Sequence, residues 1–413
     1  MGQTIFYCLL FVTISFFFLK KKTPFISKLL LMLYSITAIL AIVAVGCDLV
    51  DYSKVSLIGY IFLAVAIFIY FAPFLCNKKR LSSEKMIIRE NKGYLIICLF
   101  YVLCSVITVI KFIPGIKSLI QSGDWSMNRN DLYHGDLSFP YDNFFEFVAM
   151  NLTDYFRLLV LVIAFSSLRN NKHHLVYYSA IIGGVASMLV SAIYTSSRGT
   201  IINAGLLIIA LFLFFAKQYS PKTRRVFLIA AISSLAILIP YLIVVTVSRF
   251  GDLDDGGVDS IVAYLGQSPV VFNSGVFTIE KLLYGKTAFG VLFGYNYKES
   301  MIGGTWDSGF YTFVGWIFID WGIIGTLLIG IVAAYWMKSI INKKRFFVSD
   351  IFLIFFYYNT LLSGVFVIGR SYCYNIIASA LIYLFIRFVV EENERFVLKN
   401  VPSQQRLNTM KIK

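Results

Sequence analysis

The chain has 413 residues, of which 58% are hydrophobic and only 14% are charged, and its formal net charge is +15. Soluble domains carry about 25% charged residues, so this chain has too little charge to cover a water-soluble globule of its size. Its Lys and Arg residues lie in short segments between apolar blocks rather than on one basic face, which argues against nucleic-acid binding.

The apolar blocks are roughly 17–25 residues long, the length at which a helix crosses the hydrocarbon of a bilayer. Lys20, Lys21 and Lys22 follow the first block instead of preceding it, so we expect a first membrane span there and not a cleaved signal peptide. The pattern predicts an all-α polytopic membrane protein with about 11 transmembrane helices. The predicted spans are 2–19, 25–46, 56–76, 94–113, 150–168, 175–194, 201–216, 226–247, 309–336, 346–368 and 373–390.

The distribution of basic residues predicts the orientation, because Lys and Arg beside membrane spans are retained in the cytoplasm. Basic clusters at 78–92, 217–225 and 338–345 all fall on one side of the predicted membrane, whereas most acidic residues fall on the other. We therefore expect an outer amino terminus, a single membrane domain over 1–390 and a basic cytoplasmic tail over 391–413.

Two long outer segments, about 114–149 and 248–308, contain most of the polar chain, and sites are expected where irregular polar chain accumulates. We expect the second segment to lie on the membrane as short amphipathic helices. The inner segments contain no Walker-type phosphate loop, which argues against ATP-driven transport. The six cysteines and the acidic run 252–255 lack the spacing of metal sites, so neither a metal nor a cofactor is expected.

Three arginines lie at outer span boundaries, against the general charge bias: Arg198, Arg249 and Arg370. A guanidinium group pairs with two phosphate oxygens at once, so these residues predict a phosphate or pyrophosphate site. The alternative is that each arginine only reaches the phosphate groups of bulk lipid.

The turn around Arg198 strengthens the first interpretation, because it precedes a helix whose backbone N–H groups can hold an anion. Tyr194, Ser197 and Gly199 belong to the same turn and are further candidate ligands.

The first long outer segment mixes carboxylates, an imidazole and aromatic rings. This composition is typical of sugar-binding loops, and Asp131, His134 or Asp136 can act as a general base toward a hydroxyl group. An exposed loop also contains such residues for solubility alone.

One carboxylate lies inside a predicted span, where an ionisable group is costly and is usually functional or paired. It is Asp320, near the middle of the ninth span, and Arg157 in the fifth span is a candidate partner. A structural pair and a catalytic role are both open.

These features resemble the bacterial O-antigen polymerases, the Wzy-type oligosaccharide repeat-unit polymerases. The resemblance covers most of the chain and consists of the turn 194–200, the long outer loop after the eighth span, and the segment 315–325. It implies a metal-independent glycosyltransferase of lipopolysaccharide or other surface-polysaccharide biosynthesis in the bacterial inner membrane. Its substrates would be oligosaccharides carried on undecaprenyl pyrophosphate, joined at the periplasmic face.

The resemblance further implies surrounding membrane lipid as a partner, together with a chain-length regulator and a flippase. Some family members carry a glycine at a set distance after the arginine in both large loops, where this chain has Ile209 and Ser260. Only the general arginine role is therefore carried over. Two alternatives are an O-antigen ligase, which differs in its acceptor, and a lipid-linked oligosaccharide flippase or other secondary transporter.

Overall fold

The computed structural model describes residues 1–21, 23–76, 79–87, 91–123, 125, 127–128, 140–169, 174–250, 258–279, 281–290, 311–365 and 372–391. Within these ranges the regular structure is helical, apart from one isolated bridge between Met86 and Phe346. The α-helices are α1 (Gly2–Lys20), α2 (Phe25–Gly46), α3 (Leu57–Phe71), α4 (Lys92–Ser122), α5 (Phe144–Ser167), α6 (His174–Tyr194), α7 (Arg198–Phe215), α8 (Pro221–Phe250), α9 (Val258–Val271), α10 (Thr312–Ile341), α11 (Val348–Ser363) and α12 (Tyr372–Phe385).

Every predicted span coincides with a helix, and eight of the described helices are long and apolar enough to cross a membrane. They are α1, α2, α4, α5, α6, α7, α10 and α12. The helices α3 and α11 are apolar but shorter, with 15 and 16 residues. The helical multi-pass class is thus confirmed, whereas the number of crossings and their orientation stay predictions.

Local capping sets several helix ends. The side chains of Ser56, Asn91 and Asn143 each accept a hydrogen bond from a backbone N–H in the first turn of α3, α4 and α5, respectively. Gly123 ends α4 with φ of 69°, a left-handed conformation that glycine adopts without strain.

Helix α11 lies at the centre of the molecule. It packs against α5, α7, α10 and α12, and its residues 348–355 are all buried. On one side α1, α2, α3, α9 and α10 pack together, and on the other α4, α5 and α6 form a tight group. The buried hydroxyl group of Tyr34 donates to the carbonyl oxygen of Leu361 (2.8 Å), which ties α2 to the end of α11.

Helix α10 is broken at Gly322, where φ is 63° and ψ is −165°. Residues 312–320 before the break are buried, whereas lipid-facing and buried positions alternate after it. The part from Gly322 to Ile341 is about 20 residues long, or roughly 30 Å, and is by itself long enough to span the hydrocarbon. Asp320 therefore lies two residues before the break, inside the candidate span Thr312–Ile341, and its depth in the membrane stays a prediction.

The described part of the second outer segment packs against α2 and the start of α3, and its position relative to the membrane surface stays a prediction. Helix α9 lies along α2 so closely that a Cβ at Gly266 would be 2.5 Å from the carbonyl oxygen of Leu40. The buried Asn273 side chain accepts from the N–H of Ser56 (2.9 Å) and donates to its carbonyl oxygen (2.7 Å).

Candidate functional site

The turn between α6 and α7 reverses the chain within a few residues. Ser196 is buried and has φ of 48°, and the N–H of Ser197 donates to the carbonyl oxygen of Ala192 (2.8 Å). Helix α7 begins directly afterwards at Arg198. The arginine is therefore presented at a helix N-terminus, as the sequence suggested, and the helix begins three residues before the predicted span.

The second outer segment contacts this turn through Tyr264 of α9. The guanidinium carbon of Arg198 lies 5.4 Å from the centroid of the Tyr264 ring, within cation–π range. The Tyr264 hydroxyl also lies near Gly199, 3.8 Å from where a Cβ would stand. The ring thus lies beside the first turn of α7.

The first outer segment contacts the same turn through Asn128. Its side-chain amide donates to the carbonyl oxygen of Tyr194 (2.7 Å) and to the hydroxyl group of Ser196 (3.2 Å). Nearby, the rings of Trp125 and Tyr241 meet edge to face, with centroids 5.5 Å apart. We call residues 194–200 together with Asn128 and Tyr264 the outer turn site.

The start of α7 suits an anion. Ser197 is the N-cap, but within the described residues its side chain makes no capping bond to the backbone; instead the hydroxyl groups of Ser197 and Thr200 are hydrogen-bonded (2.8 Å). The first-turn N–H groups of a helix carry partial positive charge and bind anions when no side chain caps them. The permanent charge of Arg198 adds to this attraction.

The predicted ligand Tyr194 has a different place from the one expected. Its ring is buried, packs against Phe112 with centroids 5.0 Å apart, and lies where a side chain at Gly115 would be. The ring therefore cannot stack on a sugar, and Tyr194 serves the site through its carbonyl oxygen.

Asp320 is fully buried and is surrounded by hydrogen-bond donors. One carboxylate oxygen accepts from the N–H of Thr287 (3.0 Å), and the other accepts from the Thr287 hydroxyl (2.5 Å) and the Ala288 N–H (2.9 Å). The Tyr372 hydroxyl is a fourth donor at 3.3 Å. The four donors hold residues 281–290 against α10, and the carboxylate is fully buried.

Arg157 pairs with Asp154, three residues earlier on α5, and not with Asp320. The hypothesis of an Asp320–Arg157 pair was therefore wrong. The pair forms within a single helix because residues three apart share one face. Arg157 does not reach the outer turn site through any described contact.

Several predicted residues cannot be compared with the structure. Asp131, His134, Asp136 and Arg370 lie outside the described residues. Arg249 is in the last turn of α8, four residues after Val245, which packs with Leu119 and Trp125.

The sequence did not identify Asn128 or Tyr264 as parts of the site. Asn128 lies within the polar stretch that drew attention to Asp131 and His134, but its type is common in loops. Tyr264 is one of many aromatic residues in the second segment, and nothing in its spacing distinguishes it. Both residues belong to the site only through contacts with residues more than 60 positions away in the sequence.

Comparisons with protein-family models, with curated proteins and with solved structures found no match for this chain. The fold defines a multi-pass helical membrane protein, and the described site combines a guanidinium group with a helix N-terminus.

Proposed function

We propose that this protein is a polysaccharide polymerase that joins oligosaccharide repeat units carried on undecaprenyl pyrophosphate at the periplasmic face of the bacterial inner membrane. One observation carries the proposal. Both long polar segments contact the turn that presents Arg198 at the N-terminus of α7. A site of this kind suits a ligand that combines a pyrophosphate group with sugars.

The proposed reaction is a glycosyl transfer without a metal. A hydroxyl oxygen of the acceptor attacks the anomeric carbon of the donor chain, and the bond from that carbon to the pyrophosphate oxygen breaks. The lipid pyrophosphate leaves with the bonding electrons, and Arg198 and the first-turn amides of α7 stabilise its added negative charge. The acceptor hydroxyl gives its proton to a base.

Asp131, His134 and Asp136 are the proposed candidates for that base, since they share the segment that contains Asn128. Asp320 was a fourth candidate, but its oxygens are occupied by four hydrogen bonds. We assign it a positioning role. It would act by holding residues 281–290 in place.

The role of Arg198 is tested by surface-polysaccharide gel ladders of a deletion strain that carries either the wild-type gene or Arg198→Ala. Loss of one stabilising donor typically lowers such rates by about 10²–10³. We therefore expect the Arg198→Ala ladder to collapse to core plus one unit, at unchanged protein level in the membrane. Arg198→Lys keeps the charge but not the planar fork, and should give short chains.

The matched control is Arg169→Ala, which removes an exposed arginine in the turn after α5 whose only described bond is to Gln218 (3.4 Å). Its ladder should stay normal. A normal ladder from Arg198→Ala would remove this residue from the mechanism, and Arg249→Ala and Arg370→Ala test the other two arginines in the same way. Complete loss of attached polysaccharide in the deletion strain would instead indicate a ligase or a flippase.

A further inference from the structure

Two loops on the opposite side of the molecule from the outer turn site are joined to each other, although they lie far apart in the sequence. The N–H of Ile87 donates to the carbonyl oxygen of Phe346 (2.9 Å), and the N–H of Phe346 donates to the carbonyl oxygen of Lys85 (3.0 Å). The loops follow α3 and α10, which pack side by side. Helix packing therefore determines that these loops meet.

The joined loops concentrate positive charge. The cations on them and on the last turn of α10 are Lys79, Arg80, Lys85, Lys338, Lys343, Lys344 and Arg345, which we call the inner basic patch. Most of these side chains are exposed. Of the nearby carboxylates, Asp350 is buried and bonded to Lys343 (2.6 Å), and Glu84 is exposed beside Lys85, so the seven cations outnumber the carboxylates and the patch stays positive.

The patch is held in place by the fold and not by flexible side chains alone. The Lys85 ammonium group donates to the carbonyl oxygens of Arg80 (2.7 Å) and Lys343 (3.2 Å), which links the two loops a second time. Burial lowers the pKa of Lys85, the Cys76 thiol opposes this, and the charge of Arg80 lowers the pKa further. A bound anion would offset the repulsion between Lys85 and Arg80.

Helix α10 adds an apolar surface next to the patch. Tyr335 and Trp336 are 78% and 50% exposed and stand within one turn of Lys338. Aromatic residues at this position are typical of the lipid headgroup level. Before them on the same helix, Leu328 and Val332 are exposed apolar side chains.

We propose that the inner basic patch binds the phosphate of an anionic phospholipid such as phosphatidylglycerol, with an acyl chain lying along Val332 and Trp336. Basic clusters beside membrane helices attract anionic lipids by about 1 kcal/mol per cation. A free anion would bind through the cations alone. The exposed apolar surface beside them favours a lipid, and this inference does not depend on the proposed polymerase activity.

The test measures the thermal unfolding midpoint of the purified protein in detergent micelles titrated with phosphatidylglycerol or phosphatidylcholine. Phosphatidylglycerol should raise the midpoint of the wild-type protein by a few degrees, because a ligand that binds only the folded state stabilises it. The variant Arg80→Gln/Lys344→Gln/Arg345→Gln should bind phosphatidylglycerol about 100-fold more weakly, since three cations are lost. Phosphatidylcholine should have little effect on either protein.

The matched control is Lys217→Gln/Lys222→Gln/Arg225→Gln, which removes three exposed cations from the α7–α8 connection and the start of α8. It should keep the wild-type response. An equal loss in both variants would mean that any basic loop suffices, and an equal gain from inorganic phosphate would mean that the patch binds a free anion; either result overturns the proposal. If the triple variant does not fold, Lys344→Gln/Arg345→Gln leaves the loop's backbone bonds intact and should weaken binding about 20- to 30-fold.

Discussion

The carboxylate of Asp320 connects two segments that lie 33 positions apart. Helix α10 is interrupted at Gly322, which frees carbonyl groups that an intact helix would bond. Those of Ile319 and Asp320 accept instead from the N–H groups of Leu283 and Tyr284, both at 3.0 Å. The break and the buried carboxylate thus form one unit, in which irregular backbone is satisfied by protein rather than by lipid.

We expect Asp320→Ala to destabilise the protein strongly. The substitution leaves the backbone N–H groups of Thr287 and Ala288 and two hydroxyl groups without their acceptor, and each buried unsatisfied donor costs about 1–3 kcal/mol. Chemical or thermal unfolding in detergent measures the loss. The control Asp142→Ala removes a carboxylate whose side chain is 82% exposed and bonded only on the surface, which should change stability by about 0–1 kcal/mol.

Asp320→Asn separates the positioning role from a role as base. The carbonyl oxygen of the amide can replace one acceptor, but its NH2 group would face the N–H and O–H donors around it. We therefore expect Asp320→Asn to unfold at a lower temperature than the wild-type protein. Unchanged stability together with lost polymerisation would contradict the positioning role and return Asp320 to the candidates for the base.

At the scale of elements, the packing of α9 on α2 decides where the second outer segment lies. Gly266 allows the two backbones to approach, and Asn273 fastens the following turn to Ser56 at the start of α3. Tyr264 is in the same helix, so this packing also places its ring over Arg198. A separation of α9 from α2 would therefore disturb the outer turn site.

Gly266→Ala tests this contact. A Cβ at that position would meet the backbone of Leu40 and Ala41 at 2.5–2.9 Å, and backbone cannot move aside as a side chain can. We expect a loss of stability of about 1–3 kcal/mol, as for other overpacked sites, together with shorter polysaccharide chains. Unfolding midpoints and gel ladders measure the two effects.

Gly205→Ala in α7 is the matched control for that substitution. A Cβ there meets nothing within 4 Å, so alanine should stabilise the helix by up to about 1 kcal/mol through its higher helix propensity. Equal behaviour of the two variants would show that the close approach of α9 and α2 does not matter.

For the whole molecule, the charge bias and the joined loops make one prediction about orientation. The outer turn site and the loop after α2 should face away from the cytoplasm, whereas the inner basic patch should face it. Cys47 provides a natural reporter in the loop after α2, because it is exposed and the other five cysteines are buried or half-buried.

We expect a membrane-impermeant maleimide to label Cys47 in intact spheroplasts and Cys47→Ser to abolish that labelling. In the Cys47→Ser background, Lys344→Cys should be labelled only after the membrane is permeabilised. The reverse labelling pattern would mean that the protein has the opposite orientation and that Arg198 faces the cytoplasm. That result would exclude the proposed periplasmic reaction.

The sequence predicted the site only in part. Arg198 stood out because a charged residue at an outer boundary opposes the general bias, and Asp320 stood out because carboxylates are rare in apolar runs. The role of Asp320 was not predictable, because it depends on N–H groups supplied by Thr287 and Ala288 from a segment without a strong pattern. Tyr194 was misassigned for the same reason, since its burial depends on α4.

The sequence by itself determined the class of the protein and the approximate position of every helix except α9, because a lipid environment forces long apolar runs to form helices that satisfy their own backbone. It also indicated which loops carry the basic residues. Only the tertiary structure decided that α9 packs along α2, that α10 is broken at Gly322, and that Asn128 and Tyr264 contact the turn that carries Arg198. These features depend on pairwise contacts between distant segments, which no local pattern of hydrophobicity or charge encodes.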